Sequence, residues 1–229
     1  MTRTGWTNIG SSQRPVILVH GFGGCTHQWF AVQRGLRTAG FSSVSTMSYN
    51  AVQADITTLA TRLADQVRTV LQETGADKVH LVGHSLGGII IRYAVSVLGL
   101  DCEVDTAITI SSPHGGSPIA RLGWCPTARQ LQPGSMILRR IEAAARPGST
   151  RWVAFYSHHD VVVPAARAQI RPAALTAVNI PLHGEGHISI LTSPVLVQQL
   201  TARLRAPRVP ITTRVPPLPA PRPHLTRAA

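Results

Sequence analysis

One stretch constrains this chain more than any other. Lys78-Val-His-Leu-Val82 is a short apolar run. It breaks at Gly83-His-Ser-Leu-Gly-Gly88 and continues at once as Ile89-Ile-Ile-Arg-Tyr-Ala94. An apolar run of this length that stops at glycines predicts a strand buried on both faces. The apolar run beyond predicts a helix over 86–98, packed on the sheet that holds the strand. Glycines at 83, 87 and 88 permit a turn too tight for larger side chains.

The same grammar recurs along the chain. Pro15-Val-Ile-Leu-Val19 runs into His20-Gly-Phe-Gly-Gly24, and a helical stretch at about 27–39 ends at Gly40. Phe41 to Ser48 reads as a strand. Over 52–74, Ile56, Leu59, Leu63, Val67, Val70 and Leu71 recur at steps of three and four, and Gly75 closes the pattern. Strands are expected at 105–110, 151–156 and 176–180, and a closing helix at 193–204. Residues 112–148 hold Pro, Gly and one short helical pattern near 135–145, and read as an insertion over the sheet. Alternating strands and helices predict an α/β fold, with a mostly parallel sheet and helices on both faces.

The 229 residues therefore divide into an N-terminal arm at 1–13, one α/β domain at 14–205, and a tail at 206–229. The tail carries seven of the 17 prolines and four arginines, so it is expected to be extended and poorly ordered. The formal net charge is +12. That balance raises nucleic acid or an anionic surface as partners, but Lys78 is the only lysine and no basic run is longer than Arg139-Arg140. With aromatic residues at 5%, a base-stacking platform is not expected, so the reading is no nucleic acid. Cys25, Cys102 and Cys125 fit no zinc or redox spacing. Free buried thiols are expected, with a Cys102–Cys125 bridge as the alternative. No apolar run reaches the ~18–20 residues of a membrane span. Met1 to Asn8 has no apolar segment of the signal-peptide type, so the sequence as encoded implies the cytoplasm. A misassigned start would hide a leader and imply secretion.

Gly83-His-Ser-Leu-Gly87 fits G-x-S-x-G, and chemistry explains that pattern. A nucleophilic serine must stand on a strained strand-to-helix turn, where side chains at the flanking positions would collide. Ser85 is thus the candidate nucleophile, presented at the carboxyl edge of the sheet beside a helix N-terminus.

These residues, paired with His20-Gly-Phe-Gly-Gly24 after the earlier strand, resemble the α/β-hydrolase superfamily, and more narrowly small bacterial triacylglycerol lipases and esterases. The resemblance covers about residues 14–204. It implies an oxyanion hole built from the backbone N–H groups of Leu86 and Phe22, with His20 a buried positioning residue. His84 is expected merely to fill space. The family's order, Ser then acid then His, leaves His114, His158, His159, His183, His187 and His224 as bases. His187, in Gly184-Glu-Gly-His-Ile-Ser189 before the last helix, stands where the fold carries its base; His183 is the nearest rival. Asp160, in Tyr156-Ser-His-His-Asp-Val-Val-Val-Pro164, resembles the family's acid loop. Glu185 is too near His187 in the chain, and Asp101 and Asp105 are expected to serve a turn.

The resemblance implies a carboxylic-ester hydrolase of lipase or esterase type, working through Ser85, His187 and Asp160 without metal or organic cofactor. Ser111-Ser-Pro-His-Gly-Gly-Ser-Pro118 resembles the segment leading into a lipase cap, so 112–148 is expected to be a small cap-like insertion. Phe22, Trp29 and Ile119 favour an acyl ester over a charged substrate, with core packing as the alternative for Trp29. The expected partner is a small-molecule or lipid ester, with transient contact at a lipid surface. An acyltransferase with the same triad, or a non-catalytic basic surface-binding protein of the same fold, are the alternatives.

Overall fold

Apolar residues alternate along the strands, and the two faces feed two different cores. Ile17, Val19, Leu81 and Ala107 join one cluster; Val16, Leu18, Val82 and Ile108 join the other. Such two-sided burial is why the strands read as continuous apolar runs. The computed structural model describes residues 14–207. The expectations for the arm at 1–13, for the tail beyond Pro207 and for His224 lie outside the described residues.

Six strands form one parallel sheet: β1 (Val16–Val19), β2 (Val44–Met47), β3 (Val79–His84), β4 (Val104–Ile110), β5 (Arg151–Ser157) and β6 (Val178–Leu182). Their spatial order is β2-β1-β3-β4-β5-β6. The chain runs outward from β1 to β2, then crosses back to β3 on the other side of β1. The carboxyl ends of β1 and β3 therefore flank a topological switch point, where open parallel sheets leave a crevice. Both glycine loops singled out above emerge there.

Helix α1 (Phe30–Thr38) follows β1 after a 3₁₀ turn at Thr26–Trp29, and α2 (Ile56–Thr74) precedes β3. Asp55 caps α2 by accepting from the Thr58 N–H at 2.7 Å, so the helix starts four residues later than its sequence pattern suggested. Gly75 ends it with φ 67°, a left-handed C-cap. Helix α3 (Leu86–Ser96) leaves β3 directly. The segment between β4 and β5 contains a 3₁₀ turn at Pro118–Leu122 and two short helices, α4 (Pro126–Gln130) and α5 (Met136–Ala143). Helix α6 (Ala165–Ala168) follows β5, and α7 (Pro194–Arg205), capped by Ser193, closes the domain. The α1 and α7 side chains Leu36 and Leu200 pack in one core; Leu63 of α2 and Ile90 of α3 pack in the other.

Two sequence expectations need correction, and one open alternative is decided. Asp105 serves no turn. It lies in β4, fully buried, with Arg151 at 2.7 Å, Arg14 at 3.5 Å and His80 at 3.6 Å. The cysteines are free, but only Cys125 is buried; Cys25 and Cys102 are exposed. Trp29 is wholly buried, so it is a core residue and not part of an open acyl surface.

Candidate active site

The turn between β3 and α3 carries Ser85 at φ 52° and ψ −120°, a region that a residue with a side chain rarely occupies. Packing holds it there. The Ser85 N–H donates to the Ile110 carbonyl at 2.8 Å, and the Ser85 carbonyl accepts from the Gly88 N–H at 3.1 Å. The flanking glycines are required by close approach. A Cβ at Gly83 would meet the Gly87 and Gly88 backbone at 2.6 Å, and one at Gly87 would meet the Val19 carbonyl oxygen at 2.0 Å. The second contact shows how tightly the turn sits on the end of β1.

Residues from three loops converge on Ser85. The Ser85 hydroxyl is 3.0 Å from His187 Nε2, and His187 Nδ1 is 2.8 Å from Asp160 Oδ2. Asp160 is buried, and its other oxygen accepts from the N–H groups of Val162 at 2.9 Å and Val163 at 2.8 Å. One carboxylate oxygen thus shapes its own loop while the other faces the imidazole. Burial alone would raise the Asp160 pKa. The hydrogen bond from His187 and the Val163 N–H outweigh it and hold the carboxyl below its ordinary value.

The loop bearing His187 is tied down at several points. Ser157, the last residue of β5, donates to the Glu185 carbonyl at 2.6 Å. Ser189 accepts from the Gly186 N–H at 2.8 Å and donates to the Glu185 carboxylate at 3.1 Å. His84 does more than fill space: its Nε2–H donates to the His187 carbonyl at 2.8 Å. Burial, reinforced by the neighbouring His187 charge, pushes the His84 pKa down to about 3, so its ring is neutral. Sequence reasoning missed Ser157 and His84 as supports. The signal for Ser157 was a lone hydroxyl closing an apolar strand; His84 had none beyond its place beside Ser85.

On the other side of the crevice, the loop after β1 comes against the serine turn. A Cβ on Gly21 would lie 2.9 Å from Ser85 Cβ. His20 is buried, donates from Nδ1 to the Gly21 carbonyl at 2.9 Å, and stacks on Tyr49 with ring centroids 4.0 Å apart. The Tyr49 hydroxyl donates to the His20 carbonyl. Burial lowers the His20 pKa. Leu86 is the first residue of α3, so its N–H has no carbonyl one turn earlier in the helix to bond. Phe22 lies in the loop after β1 with its side chain about half exposed.

Of the remaining candidates, His158, His159 and His183 are exposed, and His114 is buried elsewhere, against Arg92 and Thr109. Glu185 binds Ser189 and leaves the far side of His187 to Asp160. Asp101 lies in a 3₁₀ turn, but its carboxylate does not serve that turn as expected: it accepts from the Ser149 and Thr150 N–H groups at 2.6 and 2.9 Å and so ties down the distant segment that leads into β5. Among the described residues, no group of three or more His, Cys, Asp or Glu side chains is arranged to hold a metal ion.

The arrangement can be set beside known proteins. The mature lipase BlEst2 of Bacillus licheniformis superimposes with a TM-score of 0.73 at 20% identity, over 85% of this chain and 93% of that one. Lipase B of Aspergillus fumigatus does so with a TM-score of 0.73 at 18% identity, over 88% and 55%. The chain has the fold of these α/β-hydrolase lipases. A family model described as "Putative serine esterase (DUF676)" matches residues 11–124 of this chain. A triacylglycerol lipase of Pseudarthrobacter phenanthrenivorans is 35% identical over 118 residues, 48% of this chain and 36% of that protein. One from Burkholderia plantarii is 35% identical over 118 residues, 48% and 32%. The chain spans about a third of the length of these curated relatives. At 20% identity or less, the likeness to the solved structures concerns the fold alone.

Proposed function

We propose that this α/β-hydrolase cleaves carboxylic esters, with Ser85 as nucleophile, His187 as base and Asp160 as orienting acid. The observation that carries the reading is the unbroken chain Ser85–His187–Asp160, at 3.0 and 2.8 Å, starting from a serine held at φ 52°. Three groups on separate loops reach this geometry only if each loop is held for it, and here each is.

The chemistry follows from the atoms. His187 Nε2 takes the Ser85 proton as Oγ attacks the ester carbonyl. Asp160 accepts from His187 Nδ1–H, fixes the tautomer and stabilises the imidazolium. The carbonyl oxygen becomes negative, and the N–H groups of Leu86 and Phe22 are the donors assigned to it. The imidazolium then gives its proton to the leaving alkoxide, and an acyl-Ser85 ester remains. Water, deprotonated by His187, attacks that ester and restores Ser85. No step asks for a metal or an organic cofactor.

An acyl substrate is favoured by exposed apolar side chains on the converging loops: Phe22 after β1, Val161 beside Asp160 and Ile188 beside His187. The relatives described as triacylglycerol lipases favour an acylglycerol ester. The 112–148 segment is assigned the role of a small cap, and its exposed Ile119, Leu122 and Trp124 give it an apolar surface suited to transient contact with lipid.

A chain-length series of p-nitrophenyl esters tests the reading. The wild type is expected to turn over at least one acyl length, and Ser85→Ala to lose about 10⁴-fold or more in kcat. No Ser85-dependent turnover at any length would overturn it.

A further inference from the structure

Away from Ser85, a cavity of about 340 Å³ opens between α3, the loop after β4 and the segment following α6. Its lining is strongly cationic: Arg92, Arg167 and Arg171 contribute three guanidinium groups against one carboxylate, Glu142. Arg92 is the unusual member. It is 3% exposed, it comes from a helix otherwise packed with apolar side chains, and its Nε and Nη2 have no hydrogen-bond partner among the described residues.

Its one side-chain hydrogen bond among the described residues is with His114, whose Nδ1 lies 3.3 Å from Arg92 Nη1. A guanidinium can only donate, so His114 Nδ1 accepts and its Nε2–H donates to Thr109 Oγ1 at 3.0 Å. Burial, then the Arg92 charge, holds the His114 pKa well below its ordinary value. The ring is therefore neutral and offers Arg92 no compensating charge. Glu142 is exposed and outside salt-bridge distance.

A buried guanidinium with unmade hydrogen bonds is costly unless an acceptor reaches it. The cavity wall is meanwhile stiffly built: the Gly115 N–H donates to the Arg167 carbonyl at 2.9 Å, and Arg167 Nη1 donates to the Gly115 carbonyl at 2.6 Å. We propose that this cavity binds a compact oxyanion of phosphate type, held by Arg92 at its floor with Arg167 and Arg171 at its sides. Planar forked donors suit phosphate oxygens, and a dianion matches the excess of two positive charges in the lining. The site is distinct from the ester-cleaving centre. Arg92 lies seven residues beyond Ser85 on α3, about 10 Å along the helix. The site does not rest on the reading of Ser85, and a binding measurement tests it without any ester.

The test is calorimetric titration and thermal unfolding of the full chain with inorganic phosphate, with glycerol 3-phosphate and with acetate, at ionic strength matched by chloride. The first two probes separate free phosphate from a phosphorylated headgroup fragment, and saturable binding of either supports the site. Phosphate at about 100-fold over its Kd should raise Tm by several degrees. Arg171→Gln should weaken binding about tenfold, Arg92→Gln should abolish it, and Glu142→Gln should tighten it by removing the opposing carboxylate. If Arg92→Gln fails to fold, the opposite shifts in Arg171→Gln and Glu142→Gln decide. The proposal is overturned if neither phosphate probe binds with saturation, if acetate binds more tightly than both, or if affinity is the same in wild type, Arg171→Gln and Glu142→Gln.

Discussion

Asp160 divides its two oxygens between two tasks, and this makes a clean test. Oδ1 accepts the Val162 and Val163 N–H groups and shapes the loop, while Oδ2 faces His187. In Asp160→Asn the side-chain oxygen can keep the loop turns, and the amide nitrogen then meets His187 Nδ1 with a donor. The ring is driven to the wrong tautomer, with its proton on Nε2 facing Ser85. Esterase kcat is expected to fall by about 10³–10⁴, while Tm shifts little. An undiminished kcat would remove Asp160 from the mechanism. The three side chains that line up here, Ser85, His187 and Asp160, could each be singled out in the sequence, because each stands at the end of a strand or in a loop with a recognisable local pattern. His84 was not: nothing in neighbouring residues reveals that its ring reaches the backbone of residue 187.

At the scale of elements, the β3–α3 turn is legible because its glycines are dictated by contacts within a few residues and with β1. Gly87→Ala would drive a Cβ into the Val19 carbonyl at the end of β1, where backbone cannot yield. Unfolding in denaturant should show a loss of about 3 kcal/mol, and Ser85 reactivity should fall as the turn shifts. Wild-type stability in that variant would mean that β1 and α3 are less tightly joined than described. Element boundaries were read less well where caps decide them. The helix α2 was expected from residue 52, but the Asp55 side chain binds the Thr58 N–H and starts the helix after it. Asp105 was misread for a related reason. Its partners Arg14 and Arg151 lie 91 and 46 residues away in the chain, so no local pattern marks it as a buried ion-pair centre.

The whole molecule shows why the two glycine loops belong together. The strand order puts β1 beside β3, so the loop bearing Phe22 and the turn bearing Ser85 open at the same edge. The alternation of strands and helices predicted a parallel sheet, but the sequence carries no mark of strand order. Buried histidines also set a property of the whole chain. His20, His84 and His114 all have pKa values lowered by burial from 6.5, that of His84 to about 3. The unfolded chain therefore binds more protons than the native one at mildly acid pH. Their contribution to stability is intact above about pH 6.5 and is lost as pH falls towards 3, at about 1.4 kcal/mol per pH unit for each proton. Tm measured from pH 8 to pH 4 should fall below about pH 6.5, and less steeply in His84→Asn, which retains a donor for the His187 carbonyl. Parallel Tm profiles for the two proteins would contradict a neutral, buried His84.

The account turns on Ser85 being an activated nucleophile, and covalent capture reads that property without knowledge of the natural ester. A fluorophosphonate incubated with the native chain, followed by intact-mass and peptide mass spectrometry, should add one adduct per chain, on Ser85. Labelling should be abolished by unfolding and slowed by about 10³-fold or more in His187→Ala. No adduct on the native chain, or an adduct on a residue other than Ser85, would contradict the account.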